Sequence, residues 1–369
     1  MTKKQKVTYY EVGDDYSTKD PIKKLAQEAA VATGANLKDH GFEEVADSRG
    51  ESGYVWKQGD VFMASAVEGL GTKNLIADET RKLTGKTYYD IIAHDTVATI
   101  INDLITVGAT PLVLHAYWAI EDNTWLYDEV RMTDLIKGWE NACNIAGVSW
   151  GGGETATMKQ IVIKDTAEFA GAATGIIKSE KLLVRDSKLA AGDCVVFVKS
   201  NGVNANGISL TRAVAAKLKD GYATKLTDGT IYGEALLTPS NIYAKLIQDL
   251  QKADIDIHYI SNLTGHGMRK IMRARPEFTY RIENIFEPQE VFNFIQEEAV
   301  LDDYEMYQTY NMGQDYAIFV AKKDVDQVLE IIKQNGFEGV NAGIIEEGKK
   351  QVIIEPKNLT YSAETLDLR

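Results

Sequence analysis

The chain has 369 residues, too many for one comfortable hydrophobic core, so two domains are the default reading. Its 44% apolar and 25% charged residues are the balance of a globular protein, not of a disordered one. The net charge of −14 excludes a binder of nucleic-acid backbone, because no basic stripe exists to displace counterions. An anionic ligand must then be held locally, by metal and backbone amides, against the overall field. Cys143 and Cys194 stand far apart and make no metal-like pair, which points to free thiols. No signal-like segment and no apolar run of membrane length occurs, and a cytoplasmic protein is expected.

Residues 1–20 are polar and include Tyr9-Tyr-Glu-Val-Gly-Asp-Asp-Tyr16. Asp20 as N-cap with Pro21 at the first helical position predicts a helix to about Thr33, ended by Gly34. Residues 46–53 form a glycine-bearing loop. Val61–Val67 reads as a continuous apolar strand with Glu68 at its exit, followed by Gly69-Leu-Gly-Thr-Lys73. Glycine amides and a lysine suit phosphate, although no Walker P-loop occurs anywhere in the chain.

Residues 94–111 organise the rest. At about 100° per residue, Val97, Ile100, Ile101, Leu104 and Ile105 share one side of a helix. Asp95, Thr99, Asn102, Asp103 and Thr106 gather on the other, two carboxylates and an amide with no Lys or Arg among them. A solvated face usually mixes both signs, so this exposed acidic side is a candidate for holding a hard cation. Gly108 ends the helix and Pro111 prevents its resuming.

Leu112–Ile120 reads as a strand and 128–146 as an amphipathic helix closed by Gly147. Strands follow at Val148–Trp150 and Ala167–Ile177, and Gly151-Gly-Gly-Glu-Thr155 between them reads most simply as a tight turn. A domain boundary near residues 178–193 divides the chain into 1–178 and 179–369. Beyond it, the buried strand Cys194–Ser200 leads into Asn201-Gly-Val-Asn-Ala-Asn-Gly207 and a helix Ile208–Leu218, whose first turn suits an anion. Pro239-Ser240 opens a helix to about residue 253. Then come the turn Asn262-Leu-Thr-Gly-His-Gly267, the stretch Glu305-Met-Tyr-Gln-Thr-Tyr-Asn-Met-Gly313 and a helix over 325–335. Residues 343–345 and 351–355 read as edge-like strands, and the last dozen residues as loose. His40, His115 and His258 read as structural or surface groups.

Asp103-x4-Gly108-Ala109-x-Pro111, preceded by Glu-Gly-x-Gly-Thr-Lys and followed by Gly-Gly-Glu-Thr-Ala, resembles the aminoimidazole ribonucleotide synthetase family, the phosphoribosylformylglycinamidine cyclo-ligases. The similarity runs over nearly the whole chain. Its superfamily also holds selenophosphate synthetase, thiamine-monophosphate kinase, a hydrogenase-maturation protein and the amidotransferase that makes the cyclo-ligase substrate.

The resemblance implies an α/β (α+β type) fold. An N-terminal ATP- and Mg²⁺-binding domain would bring a mixed sheet that pairs with a second copy into a barrel-like homodimer. A C-terminal α/β domain would complete the cleft. The implied reaction closes formylglycinamidine ribonucleotide to aminoimidazole ribonucleotide in purine biosynthesis, converting ATP to ADP and phosphate. The partner is a small phosphorylated ribonucleotide, with no nucleic acid or membrane.

Carried over by position, Glu68 and Asp103 would ligate Mg²⁺, and Lys73, Asp95 and Glu305 would be catalytic. Substrate and ATP would meet Gly69, Gly71, Thr72, Asn102, Glu154, Thr155, Asn204, Asn206, Asn262, Thr264, Gly265, His266 and Asn311.

The chain departs from the family pattern at several of these points. Glu68 stands for an aspartate, Asn204 and Asn262 for histidines, His266 for a glycine and Gln308 for an arginine, and residues 46–53 are poor in glycine. Amides cannot change charge near neutral pH, so proton removal would pass to a carboxylate, to phosphate or to water, with Glu305 the leading candidate and His266 second. Two alternatives stay open: a superfamily member phosphorylating another small molecule, and a non-catalytic binding subunit.

Overall fold

Two sheets, each with its own helices, account for most of the chain. The computed structural model describes Lys6 and residues 16–366. The first part runs α1 (Tyr16–Thr33), β1 (Glu43–Glu44), β2 (Tyr54–Gln58), β3 (Val61–Gly69), α2 (Lys73–Thr84), α3 (Tyr89–Leu104), β4 (Thr110–Ile120), α4 (Glu129–Ala146), β5 (Ser149–Thr157) and β6 (Ala167–Ile177). The second opens with β7 (Cys194–Lys199), α5 (Ile208–Lys217), α6 (Tyr232–Leu236), α7 (Ala244–Lys252), β8 (Ile257–Asn262) and β9 (Phe278–Ile282). It closes with α8 (Glu290–Ala299), α9 (Asp303–Tyr307), β10 (Gln314–Val320), α10 (Val325–Gln334), β11 (Gly339–Glu347), β12 (Gln351–Ile354) and β13 (Leu359–Ser362).

The first sheet has the order β1-β2-β3-β6-β4-β5 and is mixed, with β4 and β5 parallel and its other pairs antiparallel. The second has the order β13-β12-β9-β11-β7-β10-β8, parallel only at β12–β9. The α/β class and the two sheets agree with the sequence reading. The first sheet is open: no closed barrel forms among the described residues.

In β3 the side chains alternate, Phe62, Ala64 and Ala66 buried and Val61 and Val67 exposed, so the strand is two-faced and not continuously buried. The buried face packs on α3, whose Val97, Ile100, Ile101 and Leu104 are all buried. Gly108, at φ 83, ends α3's last turn; a Cβ there would lie 2.0 Å from the Leu182 carbonyl, so only glycine fits.

Several local expectations give way. The first helix starts at Tyr16 and carries Pro21 inside it, and most of the Tyr9–Tyr16 stretch lies outside the described residues. Pro239 and Ser240 do not begin α7, which starts at Ala244; the Ser240 amide instead donates to Asp95 Oδ1 at 2.8 Å. β11 and β12 are interior strands, each paired on both sides. The chain end is not loose through residue 362, since β13 pairs with β12.

His258, on β8, lies with Nδ1 2.7 Å from Asp193 Oδ2, and that hydrogen bond raises the imidazole's pKa above its ordinary value against the effect of burial. A raised histidine contributes stability in full below the unfolded value of 6.5 and loses it as pH rises through the folded value. The urea midpoint of the wild type should therefore fall more steeply above that pH than that of His258→Gln. Parallel pH profiles for the two proteins would remove the pair from the stability argument.

Candidate active site

Three turns meet at one end of the second sheet. β7 ends at Lys199, β8 ends at Asn262 and β10 begins at Gln314; because β10 runs antiparallel to both, Gln314 pairs with Lys199 and Tyr316 with Asn262. The turns at this end carry Asn204, Asn206, Thr264, Gly265, His266 and Asn311, and β10 carries Asp315. The polar side of α3 faces them. It is buried, not exposed as its acidic pattern suggests: Asp95 is 0% exposed and Asn102 and Asp103 are 6% each.

The buried polar groups Asp95, Asn102 and Asp103 of α3 each have a defined partner. Lys73, at the start of α2, is fully buried and its Nζ donates to Asp95 Oδ2 and, at 3.4 Å, to the Thr238 carbonyl. Asn102 donates to the Asn241 carbonyl at 2.8 Å and accepts from the Tyr243 amide at 3.0 Å. Asn262 donates to Asp103 Oδ1 at 2.7 Å. The countercharge absent from the helix itself thus comes from α2 and from the second sheet's turns.

Glu68 and Asp103 meet at the exit of β3. Burial and the Asp103 charge push the Glu68 carboxyl up to about 7, with Lys270 pulling the other way. Lys270 is 7% exposed and donates to Thr264 Oγ1; burial lowers its ammonium to about 8 while Asp103 and Glu68 oppose that shift. Asp315 is a further buried carboxyl. Asp315 accepts from Asn204 Nδ2 and from the Tyr243 hydroxyl, both at 2.6 Å, and burial raises it to about 6.

The remaining candidates serve different parts of the structure. Asn206 and Asn311 hold turns together: Asn206 accepts from the Gly265 amide at 3.1 Å, and Asn311 binds Ser200, the Gly202 carbonyl and the Gly313 amide. His266 is buried at φ 71, a strained backbone for a non-glycine residue, and burial with Lys270 and Arg269 nearby lowers its pKa to about 2. Such an imidazole is neutral and a weak base. Asn204 also lies in the left-handed region, at φ 55.

Glu154 and Thr155 lie apart from this cluster, exposed on β5. Their triple glycine is part of a strand and not a turn. A Cβ on Gly153 would stand 2.1 Å from the Ala116 carbonyl, so glycine is what lets β5 pair with β4. Gly69, Gly71 and Thr72 link Glu68 to α2, with Gly71 at φ 72.

Glu305 is the N3 residue of a capping box. Its carboxylate accepts from the Asp302 amide at 3.2 Å and pairs with Lys6 at 2.6 Å. No hydrogen bond or ion pair ties it to Asp103 or Glu68 among the described residues. Glu305→Gln keeps an acceptor for the cap and should cost under about 1 kcal/mol in a urea melt. A drop in kcat beyond ten-fold in that variant would return Glu305 to the reacting atoms.

Residues 46–53 do not stand free: Arg273 donates to the Gly50 carbonyl and to Ser52 Oγ, and the Tyr259 hydroxyl to Glu51. Sequence reading passed over Lys270, Tyr243 and Asp315. The local cue was the basic pair Arg269-Lys270 flanked by Met268, Ile271 and Met272.

Two donors suit a hard cation here, the carboxylates of Glu68 and Asp103, which act on one another at the exit of β3. No group of three or more His, Cys, Asp or Glu that could hold a metal occurs among the described residues. No described helix is long and apolar enough to cross a membrane.

Comparison with known proteins extends over both sheets. The sequence model of the AIR synthase related protein N-terminal domain matches residues 50–177, and that of the C-terminal domain matches residues 190–355. A Methanococcoides burtonii protein named phosphoribosylformylglycinamidine cyclo-ligase is 31% identical over 331 residues, 88% of this chain and 92% of its own length. One of the same name from Methanocaldococcus jannaschii is 29% identical over 371 residues, 95% of this chain and 100% of that protein. Among solved structures, a chain of the HypE-HypF complex matches with TM-score 0.59 at 17% identity, over 85% of this chain and 92% of that one. Thermotoga maritima PurL complexed with ADP matches with TM-score 0.55 at 14% identity, over 85% of this chain and 45% of that one. At such identities the two structures speak for the fold alone. By sequence, through both of its sheets, this chain belongs to the AIR synthase related protein family.

Proposed function

We propose that the chain is an ATP-dependent cyclo-ligase that closes formylglycinamidine ribonucleotide to aminoimidazole ribonucleotide, releasing ADP and phosphate. The observation that carries this reading is the charged cluster of Glu68, Asp103 and Lys270 where α3 meets the second sheet, in a chain whose full-length relatives carry the cyclo-ligase name. In the reaction the formyl oxygen attacks the γ-phosphorus of ATP and ADP leaves. An amidine nitrogen then attacks the activated carbon, and phosphate departs with the former formyl oxygen.

Glu68 and Asp103 would hold Mg²⁺. Bound there, the ion would offset charge on the transferring phosphoryl group. The chain's own groups do the rest. Lys270 and the amides of Gly71 and Thr72 offer positive charge and donors to phosphate oxygens. Asn262 keeps Asp103 in place, and Asn204 does the same for the turn before α5. With Glu305 closing its own helix, the proton lost by the attacking nitrogen passes to the departing phosphate. Lys73, locked onto Asp95, acts as a positioning residue that fixes α2 against α3.

The test is an assay of ADP release and ring closure with formylglycinamidine ribonucleotide, ATP and Mg²⁺. Turnover requiring all three supports the reading. ADP release that needs a different acceptor would favour a kinase of another small molecule, the reading that Asn204 and Asn262 in place of histidines keep open. Silence with every acceptor would leave a binding subunit.

We also read the active form as a cytoplasmic homodimer, with domains 1–178 and 179–369. The face of the first sheet turned away from α3 exposes Val61 (48%), Val67 (74%), Leu112 (42%) and Tyr117 (37%), and β5 is an edge strand rich in glycine. Two such faces packed together would bury this apolar surface and bring Glu154 and Thr155 toward a shared cleft. Val67→Asp should convert the dimer to monomer by light scattering at micromolar concentration. A wild type that is monomeric there would sink the dimer.

A further inference from the structure

Lys270 is the cation that the acidic pattern of α3 lacks. It sits in the 3-10 segment Gly267–Met272, between Met268, Ile271 and Met272, all at 0% exposure. A lysine buried beside these apolar side chains needs polar partners, and its position supplies them. The ammonium is anchored on Thr264 Oγ1, two residues past Asn262, and Asn262 is bonded to Asp103 Oδ1 at 2.7 Å. The one turn therefore delivers an amide to the first carboxylate and an ammonium beside the pair. Asp103 and Glu68 are the negative charges acting on Lys270, while Arg273 and Lys23 of α1 add positive charge.

A divalent ion entering between the carboxylates thus meets a cation already in residence. It also finds only two carboxylates, the number with which Mg²⁺ is commonly held when substrate phosphates and water supply its remaining ligands. We propose that Lys270 is the built-in counter-cation of the Glu68–Asp103 pair, so that the free protein binds a divalent ion weakly and takes it up together with nucleotide phosphate. When phosphate arrives its negative charge offsets the ammonium, and the two cations can then share the site. This rests on the reading of Glu68 and Asp103 as the metal ligands. It also resolves how a chain of net charge −14 receives a polyanion: the positive charge is stationed inside the cleft.

The experiment titrates Mn²⁺, visible by electron paramagnetic resonance, into nucleotide-free protein. Lys270→Met should bind Mn²⁺ on the order of ten- to a hundred-fold more tightly than wild type, the effect of removing one like charge at close range. Lys270→Gln, whose amide can still reach Thr264, should show the same gain and covers the case in which the methionine variant misfolds. Lys270→Arg should bind as weakly as wild type. Adding Glu68→Gln to either neutral variant should abolish the gain. Affinity unchanged in both neutral variants, or a gain matched by the arginine variant or surviving Glu68→Gln, overturns the proposal. Ring closure measured in parallel separates the two readings. A gain without any cyclisation by wild type would sink the cyclo-ligase and leave the counter-cation standing. Cyclisation without a gain would do the reverse.

Discussion

Lys73→Met is expected to lower the unfolding free energy by about 3–5 kcal/mol, enough to unfold much of a marginal protein at physiological temperature. Lys73 and Asp95 are both fully buried, and the ammonium is the only cation bonded to that carboxylate among the described residues. The other carboxylate oxygen accepts from the Ser240 amide at 2.8 Å, so Asp95 also ties α3 to the segment before α7. With the ammonium gone, a charged carboxylate stays buried with a single amide for company. Asp95→Asn in the same background removes the charge and keeps an acceptor for Ser240, so the double variant should recover more than half of the loss. Urea unfolding of the three proteins at one pH checks this. A single-variant loss below about 1 kcal/mol would mean that the pair opens readily. Lys73 would then return to the list of groups that meet substrate.

That pair also shows where the sequence was legible and where it was not. The apolar side of α3 follows from helical spacing, and Val97, Ile100, Ile101 and Leu104 lie in the core as the period requires. The unpaired acidic side was equally plain. What spacing could not reveal is its partners, which lie 22 residues upstream at Lys73 and 159 residues downstream at Asn262. Such pairings are set by how the two sheets meet, which no local period encodes.

The same limit explains β11 and β12. Short apolar runs near a chain end look like edges, yet sheet order places both inside. The triple glycine misled for another reason: glycine favours turns, but at Gly153 it answers to the Ala116 carbonyl of the neighbouring strand. Glu305 shows the converse, a residue whose placement in a family motif suggested chemistry and whose local pattern, Asp302-x-x-Glu305, spelled a capping box.

Asp103→Asn should reduce kcat for Mg²⁺-dependent turnover by at least about a hundred-fold, the scale seen when one electrostatic contact to a transition state is removed. Stability should change little, although not because the residue is exposed: Asp103 is 6% exposed and holds the Asn262 amide at 2.7 Å. An asparagine fits the same space, and its carbonyl still accepts from Asn262, so the buried contact survives. What disappears is a negative charge. An amide oxygen is a poorer ligand than a carboxylate for a hard cation, and Glu68 is left alone beside Lys270. The loss should therefore lessen at high Mg²⁺, while the KM for ribonucleotide moves less than kcat. Asn262→Ala is the companion variant: it keeps the charge of Asp103 and removes its holder, so it should weaken turnover less than Asp103→Asn does. Wild-type turnover in Asp103→Asn would remove the residue from the metal site. A melting temperature lowered by many degrees would make it a structural carboxylate whose buried bond needs the charge. Only full stability combined with lost, Mg²⁺-sensitive turnover fits a ligand.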